Sequence, residues 1–279
     1  MSLQILLDPL AFGFMQKAFL MAVVVALPTA LLSCFLVIKG WALLGDAVSH
    51  AILPGVVLAY ILGIPLIIGA FVAGMLCAVV TGYISNNSRI KADTVMGVVF
   101  SGMFGVGLIM FVAVDTGAHL DHILFGDLLG VDVGELWLTS GIALAITGAV
   151  FLLWRDLLLH SFDAAQARAI GLPTRVYHYG LLAGLSLAIV ATLATSGLIL
   201  AIGLLIAPGA IAFLLVRNFA VMLWLSVVIA LVAMLGGLYA SFYMDSAPAP
   251  TIILILSGMF IVAFLWSGVV RYLRTRSHA

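Results

Sequence analysis

Charge is what this sequence has least of. Asp, Glu, Lys and Arg make up 8% of its 279 residues, against 65% apolar residues and a mean hydropathy of +1.34, whereas a soluble globule carries about 25% charged residues. That shortage excludes a water-soluble domain. Strand-like alternation is also missing, which argues against a β-barrel. There are two cysteines, Cys34 and Cys77, both inside apolar runs and not in a CxxC pair. They offer neither a disulfide framework nor a thiolate metal site and read as buried free thiols. The N-terminus lacks the basic region, short apolar core and small-residue cleavage site of a removable signal peptide. Lysine occurs three times, as Lys17-Ala18, Lys39-Gly40 and Lys91-Ala92, and never before Ser or Thr, so no phosphate-binding loop can form. HExxH and GxSxG are absent as well, which leaves an enzyme reading little to stand on. The formal net charge is zero, and nothing in it suggests a nucleic-acid partner.

What is present is a succession of apolar runs of about 20 residues, each long enough to cross a hydrocarbon core about 30 Å thick as a helix. The expected fold is all-α, a polytopic helical bundle forming one domain over residues 1–279, with spans at 14–38, 43–62, 64–84, 94–114, 137–154, 177–195, 197–216, 219–241 and 250–270. Basic residues favour the cytoplasmic side. If Lys39 is cytoplasmic, nine alternating spans put ten of the eleven Lys and Arg residues on the same side, with Lys17 the exception. Asp8, Asp115, Asp121, Asp127, Asp132, Glu135 and Asp245 then fall outside. The expected orientation is N-terminus outside and C-terminus inside, in a bacterial inner membrane.

Ionisable groups inside such a chain are the informative ones. Asp46 and His50 are four apart in Gly45-Asp46-Ala47-Val48-Ser49-His50-Ala51-Ile52-Leu53-Pro54-Gly55, a spacing that stacks carboxylate and imidazole on one face of a helix. Pro54 has no N–H for the His50 carbonyl, which should leave that oxygen free. Carboxylate, imidazole and carbonyl make a donor set for manganese, ferrous iron or zinc. Burying the carboxylate costs about 2.5–3.5 kcal/mol on insertion scales, so such a residue faces a cavity and has a task. Asp245, at the outer end of the eighth span, is a weaker metal or gate candidate, as is Pro54.

Other features read as structural. Small residues recur every four positions at Ala70, Gly74, Ala78 and Gly82 and at Gly97, Ser101 and Gly105, a pattern that lets membrane helices approach closely. Met96, Met103 and Met110 read as a packing stripe, and Pro28 and Pro208-Gly209 as shapers of the bundle. The acidic stretch 115–137 suits a helix at the outer interface.

Between the fifth and sixth spans lies His160-Ser161-Phe162-Asp163-Ala164-Ala165-Gln166-Ala167-Arg168-Ala169-Ile170-Gly171-Leu172-Pro173. Ser161 is expected to cap a short helix with Asp163 in its first turn, and Gly171 and Pro173 to end it. It is too polar to cross the membrane.

The 45–55, 161–173 and Gly197-Leu198-Ile199-Leu200 through Pro208-Gly209 segments closely resemble the metal-ion permeases of bacterial ATP-binding-cassette importers for manganese, iron and zinc. Arg89 to Gly97 and Gly237 to Asp245 support the likeness, which covers roughly residues 10–270. The resemblance implies a permease that borrows its motor from a cytoplasmic ATPase and pairs with a second copy or a paralogue. A periplasmic or lipid-anchored metal-binding protein would deliver the ion. Asp46 and His50 would contact the metal, and residues 161–171 would form the coupling helix, with Phe162, Asp163, Arg168 and Gly171 facing the ATPase. The segment Ser49 to Gly55 is more similar to the manganese/iron branch than to the zinc branch. No permanently bound cofactor is expected, only the transported Mn2+, Fe2+ or Zn2+. The rival readings are zinc import and, in a different class, a proton-coupled secondary transporter with Asp46 and His50 as the relay.

Overall fold

A computed structural model describes residues 8–9, 11–41, 43–113 and 128–276, and these contain helices and no strand. In chain order they are α1 (Gly13–Lys39), α2 (Leu44–Ala51), α3 (Leu53–Leu62), α4 (Leu66–Asn87), α5 (Ala92–Ala113), α6 (Val133–Phe162), α7 (Ala164–Ala169), α8 (Thr174–Leu215), α9 (Phe219–Met244) and α10 (Pro248–Arg276). Among the described residues nine segments are long and apolar enough to cross a membrane, in agreement with the expected number. The acidic stretch expected at the outer interface lies largely outside the described residues, at 114–127.

The bundle is built around α1, which lies against α6, α8 and α9. Its Ala18, Met21, Ala22, Val25, Ala26, Ala30, Leu32, Phe35 and Leu36 are all buried. Small residues set how near the neighbours come. A Cβ added at Gly209 would stand 2.6 Å from the Ser33 carbonyl carbon of α1, so the Pro208-Gly209 pair lets α8 press its backbone onto α1. Membrane helices associate through such close contact. The outer helices keep large apolar side chains exposed, among them Val98, Ile109 and Val112 of α5, Leu144, Phe151 and Leu152 of α6, and Leu254, Ile261 and Val262 of α10. In a membrane these faces meet acyl chains or another subunit rather than water.

Several boundaries differ from expectation. The fifth span runs Val133–Phe162, not 137–154. At its start Asp132 caps the helix, accepting the Gly134 amide at 3.3 Å, and Glu135 joins the first turn. At its end the chain stays helical past Arg155 and Asp156 through the apolar Leu157-Leu158-Leu159, because charged side chains can reach out from a helix end without breaking it. The sixth and seventh spans, by contrast, divide as expected between 177–195 and 197–216: within α8 two helices meet at a kink at Gly197 (φ 79, ψ 171). That conformation is open to glycine and closed to L side chains. Unbroken, α8 would be about 63 Å long, twice the hydrocarbon core.

Candidate metal centre

The second span is two helices. α2 ends at Ala51 and α3 starts at Leu53, so the proline acts two residues before its own position. Pro54 sits buried in the first turn of α3, where its missing N–H costs nothing. The His50 carbonyl was expected to be free. It accepts the Ile52 amide in a tight turn, which occupies at most one of its two lone pairs. Immediately beyond, Gly55 of α3 lies against Gly69 of α4, with Ala73 Cβ only 2.6 Å from where a Gly55 Cβ would stand. The break is therefore braced from behind by the closest helix contact in its surroundings.

Just before the break, Asp46 and His50 share one face of α2, with Oδ1 and Nε2 3.3 Å apart. The sequence predicts a buried pair. Its side chains are in fact 36% and 29% exposed, respectively, within an α2 whose Leu44, Gly45, Ala47, Val48, Ser49 and Ala51 are buried. The two ionisable groups are thus the open stripe of an otherwise enclosed helix.

Sequence reasoning did not find the walls of this site. The His50 ring lies 5.9 Å from Phe100, stacked at 27°, and 5.4 Å from Phe104, edge-on at 74°. Both come from α5, and one turn further on Gly107 lets α5 approach Pro54, since a Cβ there would meet the proline nitrogen at 2.8 Å. The signal was available as Phe100, Phe104 and Gly107 at i, i+4 and i+7, one face of a helix. Met96, one turn before Phe100, is buried on the same face.

Chemically the pair supplies one carboxylate oxygen and one imidazole nitrogen. Divalent manganese, iron and zinc take four to six donors, and among the described residues no group of three or more His, Cys, Asp or Glu side chains could hold an ion. Asp245 in particular is not brought to Asp46 and His50. It is exposed at the end of α9, in a left-handed conformation (φ 48, ψ 46) that closes the helix, a conformation Asp tolerates better than most residues.

The segment expected to be a coupling helix is α7. Ser161 is not its cap. It belongs to the last turn of α6, and Asp163 is the N-cap, its Oδ1 accepting the amides of Ala165 at 2.8 Å and Gln166 at 2.9 Å. The difference is physical: a carboxylate serves two helix-end amides better than a hydroxyl can. Gly171 (φ 85) ends the turn as expected, with its amide on the Arg168 carbonyl and that of Leu172 on Ala167. Ala167 is buried against the bundle, while Phe162 is 74% and Ile170 62% exposed. Arg168 is exposed beside them, its Nε donating to the Ala164 carbonyl at 3.1 Å. Two bare apolar side chains flanking an arginine make a surface suited to another protein, and Ile170 was not singled out from sequence.

Comparisons with known proteins agree with this architecture. The chain is 51% identical over 262 residues to a chelated iron transport system membrane protein, YfeD, of Yersinia pestis, covering 94% of this chain and 88% of that one. It is 44% identical over 261 residues to the manganese transport system membrane protein MntB of Synechocystis sp., covering 93% and 85%. The structure of PsaBC from Streptococcus pneumoniae in complex with Fab superposes with a TM-score of 0.86 at 35% identity, covering 99% of this chain and 100% of that one. With residues 11–267 matching the family model as well, the chain belongs to the ABC 3 transport family.

Proposed function

We propose that this chain is the membrane permease subunit of an ATP-binding-cassette importer that takes up manganese or ferrous iron. The observation that carries the reading is the Asp46–His50 pair, one oxygen and one nitrogen donor 3.3 Å apart on the open face of a broken helix. A carboxylate and an imidazole suit a cation of intermediate hardness. The relatives above are named for iron and manganese transport, which favours these two metals over zinc.

Two donors leave the ion's shell half filled. A second permease, either another copy of this chain or a paralogue, supplies the rest when the open faces of two α2 helices meet. The chain is a transport subunit without ATPase chemistry of its own. A cytoplasmic ATPase seats against Phe162, Asp163, Arg168, Ile170 and Gly171, and a periplasmic or lipid-anchored metal-binding protein loads the other side. The membrane is the bacterial inner membrane, with the N-terminus outside and the C-terminus inside, the orientation that gathers the basic residues in the cytoplasm. Asp245 then lies at the outer surface, where it can meet the delivering protein.

The test is uptake into proteoliposomes holding the permease pair and its ATPase, with manganese, iron and zinc in competition. ATP-dependent uptake in which manganese or iron outcompetes zinc is the expected result. Zinc preference would move the chain to zinc import. Uptake driven by a proton gradient without ATP would replace the reading with a secondary transporter.

A further inference from the structure

Four side chains that metal binding does not use meet between α7 and the start of α2. Lys39 ends α1, Trp41 stands in the link to α2, His160 is in the last turn of α6, and His178 is in the second turn of α8. Lys39 Nζ lies 3.4 Å from His160 Nε2 and 4.5 Å from the centre of the Trp41 ring. The Trp41 ring meets His178 edge-on at 5.6 Å, and His178 meets His160 in the same manner at 6.1 Å. The four contacts close into a ring, so each residue touches two of the others.

Three details give this ring a direction. First, an ammonium has only donors, so His160 Nε2 accepts and its proton sits on Nδ1. That atom is buried with no hydrogen-bond partner among the described residues, which makes Lys39 the polar hold on the imidazole. His160 stands three residues before Asp163, the cap of α7, and therefore moves with it. Second, Trp41 is tied at both ends. Its amide donates to the Leu36 carbonyl of α1 and its carbonyl accepts the Leu44 amide of α2, each at 2.9 Å. A shift of the indole thus reaches α2 five residues before Asp46. Third, the indole and His178 border a cavity of about 70 Å³ whose other walls include Leu44, Thr81 and Met96. A close-packed interior leaves few such voids. Here the void adjoins the one aromatic ring that joins the two ends of the cluster, giving that ring somewhere to go.

We propose that Lys39, Trp41, His160 and His178 form a mechanical link that carries displacement of α7 to the helix holding Asp46 and His50. Resting on the transport reading above, it makes these four positioning residues. The contact chain is contiguous: α7 to His160, His160 to His178, His178 to Trp41, and Trp41 to α2. Lys39 bridges its two ends, so it sets the rest position to which the indole returns. A static plug would have the same contacts but would not change how much metal moves per ATP.

The experiment measures manganese transported per ATP hydrolysed by the reconstituted permease, its ATPase and its second permease. Mutations along coupling networks shift coupling by about 2- to 30-fold. W41A and H178A are expected to keep ATP hydrolysis while lowering manganese per ATP within that range, and W41F, which keeps a ring, to restore it. The double variant W41A/H178A should be no worse than the poorer single one, because both interrupt the same Trp41–His178 step. Unchanged manganese per ATP in both single variants, or a W41F variant as defective as W41A, overturns the link. So does full additivity in the double variant. If W41A does not assemble, H178Q provides the same readout. A wild-type complex without ATP-driven manganese uptake overturns the transport reading itself, which separates the two failures.

Discussion

Nε2 of His50 stands 3.3 Å from Oδ1 of Asp46, one helical turn away, on the only open stripe of an enclosed helix. In a single chain this pair has too few donors for an ion, and its exposure is what a shared site needs. Asp46→Asn and His50→Ala are expected to weaken manganese-dependent uptake by more than the roughly 10- to 100-fold typical for loss of a mere outer-shell partner. Assembly with the ATPase should be unaffected. Uptake assays paired with size-exclusion of the complex check both halves, and normal uptake in the two variants would falsify the site.

Phe104 shields one edge of the His50 imidazole from α5. Removing an apolar wall raises the local dielectric and loosens the ligand without deleting a donor. Phe104→Ala should therefore raise the manganese concentration for half-maximal uptake by about tenfold, leaving the maximal rate within about twofold. The concentration dependence of uptake separates the two parameters, and a fall in maximal rate alone would count against the shielding role.

Asp163 has a job that its chemistry defines narrowly. Its Oδ1 holds the first two amides of α7, and Ala at such a cap costs about 1 kcal/mol where Asn costs little. Asp163→Ala is expected to lower ATP-driven uptake through a frayed α7, and Asp163→Asn to retain it. If Asn is as damaging as Ala, the charge rather than the cap is what matters.

Gly55 and Gly69 press backbone against backbone at the helix break. A methyl at Gly55 has no space, and overpacking of this kind costs typically about 1–3 kcal/mol. Gly55→Ala should lower the melting temperature of the detergent-solubilised permease, whereas Gly141→Ala, in open space on α6, should not. Thermal unfolding of the two proteins side by side is the measurement.

Much of this was legible in the chain. Lengths and apolar runs alone indicate nine spans, because in hydrocarbon every backbone amide must be satisfied within its own helix. The Asp46–His50 pairing followed from a spacing of four, and Gly171 as the end of α7 from the left-handed conformation that glycine adopts freely. These are local properties, carried by neighbouring residues on one segment. The places where the reading failed are local as well, but competitive. Ser161 and Asp163 both could cap, and the carboxylate won. The His50 carbonyl lost Pro54 as a donor and took Ile52 in its place.

What only the tertiary structure decided lies between segments. No spacing in the sequence joins His50 to Phe100 and Phe104, Lys39 to His160, or Trp41 to His178, since each pair sits on different helices and the partners are chosen by packing. Nor could composition tell whether Asp46 would be enclosed or open. That depends on how far neighbouring helices cover its stripe, and here α5 walls the imidazole with Phe100 and Phe104 yet leaves Asp46 36% and His50 29% exposed. The sequence by itself determined that this protein crosses a membrane and carries an acid and an imidazole within it. The packing of α2 against α4, α5 and α8 decided that these two groups stay partly exposed while the rest of α2 is buried.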